Sequence, residues 1–240
     1  MIAPHEVVPR TTWLEARTSL LEKEKEFTRL RDELTEQRRA LPWEEVTKEY
    51  RFDSERGQIT LGDLFDGRSQ LIVYHFMYAP GAPGWPSAGC PGCSFWADSF
   101  DRVIVHLNAR DVTMVAVSGG PLESLLAYRR RMGWSFEWVS SANSEFNVDF
   151  GVSFTPDEAE HGGFYNYRTQ PTGLTEREGM SVLARDEQGR IFHTYSAYAR
   201  GLDLMNTAYN YLDTVPKGRD EGGGNLGQWV QRHDEYDRTG

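Results

Sequence analysis

The feature that most constrains this 240-residue chain is an uninterrupted apolar run that leads into its only two cysteines. The run, residues 71–78, has the composition of a central strand covered on both faces. A loop rich in Pro and Gly follows it and ends at Cys90-Pro91-Gly92-Cys93. From Cys93 onward apolar residues recur with a helical period. The motif is therefore predicted at the amino end of a helix that follows a buried strand.

A lone Cys-x-x-Cys pair suits the making and breaking of a disulfide better than a structural framework, which needs several bridges. Pro91 fits the first helical position, where its missing N–H costs nothing. The free N–H groups of a helix start stabilise a thiolate, so Cys90 is expected to be exposed and ionised. Cys93 shares a buried stripe with Trp96 and Phe100, so we expect it to be the covered, resolving thiol.

Two other interpretations of the pair stay open, namely idle buried thiols and a metal site. Structural zinc needs four ligands, whereas the six histidines are scattered singly and no second Cys-x-x-Cys exists. We therefore expect neither a metal nor a cofactor. The spacing does not decide whether His75, His106 or His193 contributes to the site.

The charge balance excludes some partners. The chain has 26 basic and 36 acidic residues and a net charge of −10, which argues against nucleic acid and against an anionic membrane. No apolar stretch reaches the ~20 residues that span a bilayer, and no basic segment followed by an apolar one marks a signal peptide. The expected compartment is the cytoplasm, where a lone cysteine pair is more often catalytic or metal-binding than structural.

The amino-terminal segment predicts one long helix over residues 11–41. Large apolar residues recur every seven positions, at Trp13, Leu20, Phe27, Leu34 and Leu41. They form a narrow seam on a charged helix, which is expected to pack on a globular body, its own or a partner's. We predict a helical arm (1–45), a main domain (46–215), and a tail (216–240) held by Trp229 and Tyr236 against this domain or another subunit. A homodimer or higher homo-oligomer is expected.

The remaining pattern predicts an α/β protein with a mixed central sheet flanked by helices. Strands are expected in a hairpin over residues 49–61, at 71–78, at 111–118, at 136–139, and in a second hairpin over 181–196. Helices are expected after Cys93, where the stripe runs on through Val103, after Pro121, and over 202–212. Residues 141–179 are predicted to be irregular, with one helical turn at 144–149.

The order of strand, loop, Cys-x-x-Cys and helix resembles the thioredoxin superfamily. More closely, the chain resembles a thioredoxin-like family of uncharacterised function, related to the alkyl hydroperoxide reductase and peroxiredoxin branch. The segments that carry this resemblance are 62–67 (Gly-Asp-Leu-Phe-Asp-Gly), 89–98 (Gly-Cys-Pro-Gly-Cys-Ser-Phe-Trp-Ala-Asp), 192–201 (Phe-His-Thr-Tyr-Ser-Ala-Tyr-Ala-Arg-Gly), 209–213 (Tyr-Asn-Tyr-Leu-Asp) and 233–236 (His-Asp-Glu-Tyr). The resemblance implies a thioredoxin-like fold.

The resemblance also implies thiol–disulfide exchange, with Cys90 as the nucleophile and Cys93 as the resolving thiol. The expected partners are a disulfide or peroxide substrate and an external dithiol reductant. Peroxide reduction is the less favoured form, because the threonine and positioned arginine of peroxiredoxins are not evident near Cys90. The alternative is a non-enzymatic redox sensor or oligomeric scaffold on the same fold.

The substrate groove is expected beside the motif, at Pro91, Gly92 and Trp96. Thioredoxins place a cis-proline before the strand that faces the motif, but this chain has Gly179 and Met180 there, which would line the groove instead. The 79–89 loop is longer than its thioredoxin counterpart. Its Trp85 either makes it a lid over the groove or simply anchors it.

Overall fold

A computed structural model describes residues 4–222 and 229–236. The chain divides into two compact units, Met1–Trp43 and Glu44–Gly240. The first unit contains one helix, α1 (Arg10–Arg39), which confirms the predicted amino-terminal helix. Arg38 and Arg39 lie in its last turn, where positive charge complements the helix dipole. A single helix cannot bury an apolar stripe against itself, so the seam has no partner within this unit.

The described residues of the second unit, 44–222 and 229–236, form ten strands. These are β1 (Glu44–Glu45), β2 (Arg51–Ser54), β3 (Gly57–Thr60), β4 (Gln70–His75), β5 (Val112–Ser118), β6 (Glu137–Ser140), β7 (Gly163–Tyr165), β8 (Arg168–Gln170), β9 (Gly179–Arg185) and β10 (Ile191–Tyr198). Eight of them form one sheet in the order β1-β10-β9-β4-β5-β6-β2-β3, and β7 and β8 form a separate hairpin. Strand β4 is parallel to β5, and β5 is parallel to β6, whereas β9 runs antiparallel to both β4 and β10.

The part of this unit that the structure describes contains six α-helices: α2 (Pro91–Phe100), α3 (Ile104–Asn108), α4 (Leu122–Met132), α5 (Phe146–Asp149), α6 (Pro156–His161) and α7 (Thr207–Leu212). Helices α2 and α3 connect the parallel strands β4 and β5, because a parallel pair requires a crossover. The central order β5-β4-β9-β10, with β9 antiparallel to both β4 and β10, is the thioredoxin arrangement. The expected thioredoxin-like α/β fold with a mixed, helix-flanked sheet is thus confirmed.

The sheet is buried on both faces, which explains the continuous apolar runs of its central strands. Alternate residues of β5 enter different cores: Met114 and Ala116 pack in one, and Val115 and Val117 in the other. The first core includes Cys93 and Phe100 of α2. The motif helix is therefore attached to the sheet by its own apolar face.

Three local predictions were wrong. Residues 141–179 are more regular than expected, since they contain α6 and the β7–β8 hairpin, and α6 is stabilised by a capping box between Thr155 and Glu158. The expected helix over 202–212 is a 3-10 segment, Ala199–Met205, followed by α7.

The third concerns the stripe that starts at Cys93. The helix ends at Phe100, because Asp101 begins a 3-10 turn and accepts the backbone N–H groups of Ser135 and Phe136. Val103, which was predicted on this stripe, is consequently 41% exposed. Ile104 and Leu107, also predicted on this stripe, still pack against the first core.

Candidate functional site

The Cys-Pro-Gly-Cys motif is fixed to the chain that continues β4. Cys90 is the N-cap of α2 and Pro91 its first residue, as the sequence predicts. The backbone N–H of Cys90 donates to the carbonyl of Met77 at 3.2 Å. In the opposite direction, the N–H of Met77 donates to Sγ of Cys93 at 3.4 Å. These two contacts hold both cysteines beside one residue at the carboxyl end of the central strand.

The two thiols differ in exposure and in acidity. Both are free, with Cys90 partly exposed and Cys93 only 2% exposed. The pKa of the Cys90 thiol is lowered, chiefly by a hydrogen bond from the Cys93 thiol and also by the N–H groups of Cys93 and Gly92, while burial opposes them. Burial raises the pKa of the Cys93 thiol well above its usual value. The arrangement therefore favours a thiolate at Cys90 and a neutral thiol at Cys93.

A cleft of about 240 Å³ opens onto the two cysteines. Its lining residues are Tyr74, Met77, Pro83, Cys90, Gly92, Cys93, Trp96, Leu174, Arg177, Glu178, Ala199, Arg200, Leu202 and Asp203. Gly92 and Trp96 are thus brought together with the thiols. The indole N–H of Trp96 donates to the carbonyl of Leu202 at 3.0 Å, which fixes this wall of the cleft.

Four of the predicted groove residues lie outside this lining. Pro91 is partly exposed at the start of α2, and Gly179 and Met180 are buried in β9. Trp85 is partly buried and packs edge-on against Tyr78, with 5.6 Å between the ring centroids, as expected of a loop anchor. A contribution of these four residues to substrate binding stays a prediction.

Two arginines line the cleft, although the sequence around Cys90 gives no sign of them. Arg177 precedes β9, and Arg200 follows β10. The guanidinium of Arg200 pairs with Asp203 at 3.1 Å, and Nε of Arg177 lies 3.8 Å from the carboxylate of Glu178. The fold brings both arginines to the cleft from segments more than eighty residues away from Cys90 in the sequence.

Glu176 is a second feature that sequence reasoning missed. Its side chain is buried and accepts the backbone N–H groups of Gly119 and Tyr78. The other oxygen, Oε2, is buried without a hydrogen-bond partner among the described residues. Burial raises the pKa of Glu176 to about 8, and the charge of Cys90 contributes to the shift. At neutral pH this carboxyl group keeps its proton, so it does not add a negative charge near the thiolate.

The carboxyl-terminal residues 229–236 also reach the motif. The guanidinium of Arg232 donates twice to the carbonyl of Gly89, at 2.7 and 3.1 Å, directly before Cys90. Trp229 packs edge-on against Phe95 of α2, with 5.6 Å between the ring centroids. Tyr236 accepts the N–H of Gln231 through its hydroxyl oxygen. The segment thus steadies both the loop before Cys90 and the outer face of α2.

The three candidate histidines lie away from this cleft. Tyr74 lines it, so the next residue of β4, His75, points to the opposite face of the sheet and stacks on Phe146. His106 is exposed on α3, and His193 lines a different cavity. In residues 4–222 and 229–236, no group of three His, Cys, Asp or Glu side chains is placed to hold a metal ion.

The fold and the motif together define a thioredoxin-like protein with a Cys-x-x-Cys pair at the start of the first sheet-covering helix. The chain belongs to the family DUF899, described as a bacterial protein of unknown function, whose model matches residues 2–236. No helix of the described residues combines the length and apolarity needed to cross a membrane.

Comparison with curated proteins gives no match. Among solved structures, the chain is similar to peroxidoxin BcpB of Mycobacterium tuberculosis, with 12% identity, a TM-score of 0.45, and coverage of 69% of this chain and 93% of that one. It is also similar to peroxiredoxin Q of Xanthomonas campestris, with 14% identity, a TM-score of 0.43, and coverage of 66% of this chain and 87% of that one. The fold assignment rests on the strand order described above.

Proposed function

We propose that this protein is a thiol–disulfide oxidoreductase in which Cys90 is the nucleophile and Cys93 the resolving thiol. The observation that carries the proposal is the contrast between the two thiols at the start of α2. One is partly exposed with a lowered pKa, and the other is buried with a raised pKa. Nucleophilic attack needs a thiolate that substrate can reach, and only Cys90 meets both conditions.

The reaction begins when the Cys90 thiolate attacks one sulfur of a substrate disulfide. A mixed disulfide forms, and the other substrate sulfur leaves as a thiolate that takes up a proton. Cys93 then loses its proton and attacks Sγ of Cys90, which releases the second substrate thiol. The substrate has gained two electrons and the protein holds a Cys90–Cys93 disulfide. An external dithiol reduces this disulfide and completes the cycle.

Peroxide is the second substrate class for the same thiols. Cys90 would attack one peroxide oxygen, giving a sulfenic acid and releasing an alcohol or water, and Cys93 would condense with the sulfenic acid and release water. Arg177 and Arg200 in the cleft support peroxide as a substrate, because a guanidinium can donate a hydrogen bond to a peroxide oxygen. We also propose that the protein is located in the cytoplasm and forms a homo-oligomer.

The test compares wild type with Cys90→Ser and Cys93→Ser. The Cys90–Cys93 pair is first titrated in glutathione buffers, and a midpoint between about −270 and −120 mV is expected. Turnover of a small disulfide and of a hydroperoxide is then measured. The turnover rate of Cys90→Ser should be at least ~100-fold lower than that of wild type. Cys93→Ser should form one equivalent of mixed disulfide at Cys90 and then stop.

Equal rates in Cys90→Ser and wild type would remove Cys90 from the mechanism. A pair that never cycles within cellular potentials would support the alternative, in which the protein is a redox-sensing or oligomeric scaffold without turnover. If wild type exchanges disulfides but consumes no peroxide, its substrates are restricted to disulfides.

A further inference from the structure

A second cavity, of about 500 Å³, lies apart from the thiol cleft and shares no lining residue with it. This volume falls within the range of small-molecule sites, roughly 300–1,000 Å³. The residues that line it are Glu44, Glu45, Val46, Thr47, Lys48, Tyr50, Val148, Asp149, Phe150, Gly151, Ser153, Phe154, Glu158, Phe164, Asn166, Tyr167, His193 and Tyr198. All of them belong to the second unit.

Six of the eighteen residues that line this cavity are phenylalanine or tyrosine. Tyr50 and Phe150 lie edge to face with 6.3 Å between ring centroids, and Tyr167 and Tyr198 do the same at 5.7 Å. At the rim, Phe164 is 60% exposed and Tyr167 is 64% exposed. Large aromatic side chains gathered at a concave surface mark a binding site more often than single exposed residues do.

Tyr167 is held there against a backbone preference. It is the second residue of the two-residue turn between β7 and β8, with φ +65°, and Asn166 before it has φ +52°. Such turns favour glycine at this second position, because a side chain is strained in the left-handed region. The Tyr167 hydroxyl donates to the carbonyl of Ser196 at 2.8 Å, which fixes the ring at the cavity. Backbone strain kept at one residue of a cavity points to a use for that side chain.

The charges at the cavity favour a cation. Lys48, the only lysine or arginine of the lining, is already paired with Asp149 and Glu145. Among the described residues, Glu45 forms no ion pair, and the carboxylate of Glu44 lies beside the imidazole of His193. The lining therefore carries four carboxylates, Glu44, Glu45, Asp149 and Glu158, against one lysine.

His193 fixes one side of this cavity. Its Nε2 contacts Oγ of Ser196 at 2.7 Å, and Ser196 continues through Ser181 to the buried His75. Nδ1 of the same ring lies 3.6 Å from the carboxylate of Glu44. The polar chain holds the imidazole in place, so Glu44 and His193 form a defined polar edge beside the aromatic walls.

We propose that this cavity binds a small organic cation of the alkylated-ammonium type. Aromatic faces attract such a cation through their quadrupoles, and they do not require it to give up hydrogen bonds, because a quaternary nitrogen makes none. Glu44 and Glu45 supply the opposite charge at the cavity edge. The inference is independent of the thiol chemistry, since no residue is common to both sites.

The test uses two probes of nearly the same shape, choline and its uncharged isostere 3,3-dimethylbutan-1-ol, titrated into the full-length protein by calorimetry. We expect choline to bind at least ~10-fold more tightly than the isostere, because only the cation gains the aromatic and carboxylate interactions. Equal affinity for the two probes, or no heat of binding at about 50 mM choline, would overturn the proposal.

Two variants locate the binding. Tyr167→Gly removes the ring and relieves the strained turn, so it should fold as well as wild type and bind choline about 5- to 10-fold more weakly. Glu44→Gln removes one exposed charge and should lower the affinity for choline by about 3-fold without changing the affinity for the isostere. Tyr211→Ala, at an exposed tyrosine of α7, is the matched control and should bind choline normally. Unchanged choline affinity in both Tyr167→Gly and Glu44→Gln would place the binding elsewhere and refute the assignment.

Discussion

At the scale of single residues, burial and hydrogen bonding set the protonation states of the groups at the site. Cys90 and Cys93 have the same side chain, yet their pKa values move in opposite directions, because Cys90 accepts a hydrogen bond from the Cys93 thiol at the helix start and Cys93 is buried in the core. Glu176 shows the same effect in a carboxyl group, since burial is the largest cause of its raised pKa. Removing a charge near Cys90 by keeping Glu176 neutral helps the thiolate to form.

Glu176 makes the stability of the fold dependent on pH. Its folded-state pKa, about 8, lies above the ordinary value of 4.5, so the folded protein holds a proton that the unfolded chain releases. The stabilisation is complete below about pH 4.5 and is lost as the pH rises through 8. Glu176→Gln removes this loss, because the amide oxygen can still accept the two backbone N–H groups.

We therefore expect the free energy of unfolding of Glu176→Gln, relative to wild type, to rise between pH 5 and pH 9 by roughly 2–4 kcal/mol. Urea unfolding at both values measures it. Glu187→Gln, in the exposed turn between β9 and β10, is the control and should show no such trend. A constant difference between Glu176→Gln and wild type across this range would contradict the assignment.

At the scale of elements, the start of α2 is defined by segments that are distant in sequence. Helix α2 is anchored inward by Cys93 and Phe100, and its outer face is covered by Trp229 near Phe95. Arg232 ties the last residue of the loop, Gly89, to the carboxyl-terminal segment. Gly89 directly precedes the nucleophile Cys90, so loss of this contact should change the accessibility of the Cys90 thiol.

Arg232→Ala is expected to lower the free energy of unfolding by about 1.5–3 kcal/mol, since it removes charge-assisted hydrogen bonds that are mostly buried. The loop before Cys90 should also open more often and speed alkylation of that thiol. Thermal unfolding and iodoacetamide labelling followed by mass spectrometry check both effects. Arg102→Ala, at an exposed arginine after α2, should change neither. If Cys90 of Arg232→Ala is alkylated at the wild-type rate, the contact between Arg232 and Gly89 does not control the accessibility of that thiol.

At the scale of the whole molecule, the two units differ in what they can bury. The core clusters of the second unit draw on residues from Tyr50 onward, and none of their buried members belongs to α1. Residues 44–240 therefore contain a complete core. The first unit is one helix with an apolar seam that needs a surface outside itself.

Deletion of residues 1–43 is expected to leave a folded protein that melts within a few degrees of the full chain. If the seam joins subunits, the deletion should also lower the number of subunits calculated from the light-scattering mass. The replacement of Leu20, Phe27 and Leu34 by serine is the matched variant, since it keeps the helix length and removes the seam. An unchanged number of subunits in both variants would show that the proposed homo-oligomer does not use α1.

The sequence by itself determined the elements nearest the chemistry. The apolar run of β4, Pro91 at the first helical position, and the period that starts at Cys93 are local signals, and each depends on neighbours within a few residues. They sufficed to predict a motif at the start of a helix after a buried strand, and the difference in exposure between the two cysteines, whereas the thioredoxin-like fold was implied by the resemblance to a known family. The α1 helix was equally readable, because its seven-residue repeat is a local pattern.

Only the tertiary structure decided which distant groups share the site. Arg177, Glu176 and Arg232 reach the motif because strand pairing and the returning carboxyl-terminal segment bring together residues that are more than eighty positions from Cys90. Burial, which shifts the pKa of Glu176, exists only once those segments have packed. The strained Tyr167 turn likewise has no local signal, since its sequence lacks the glycine that would mark it.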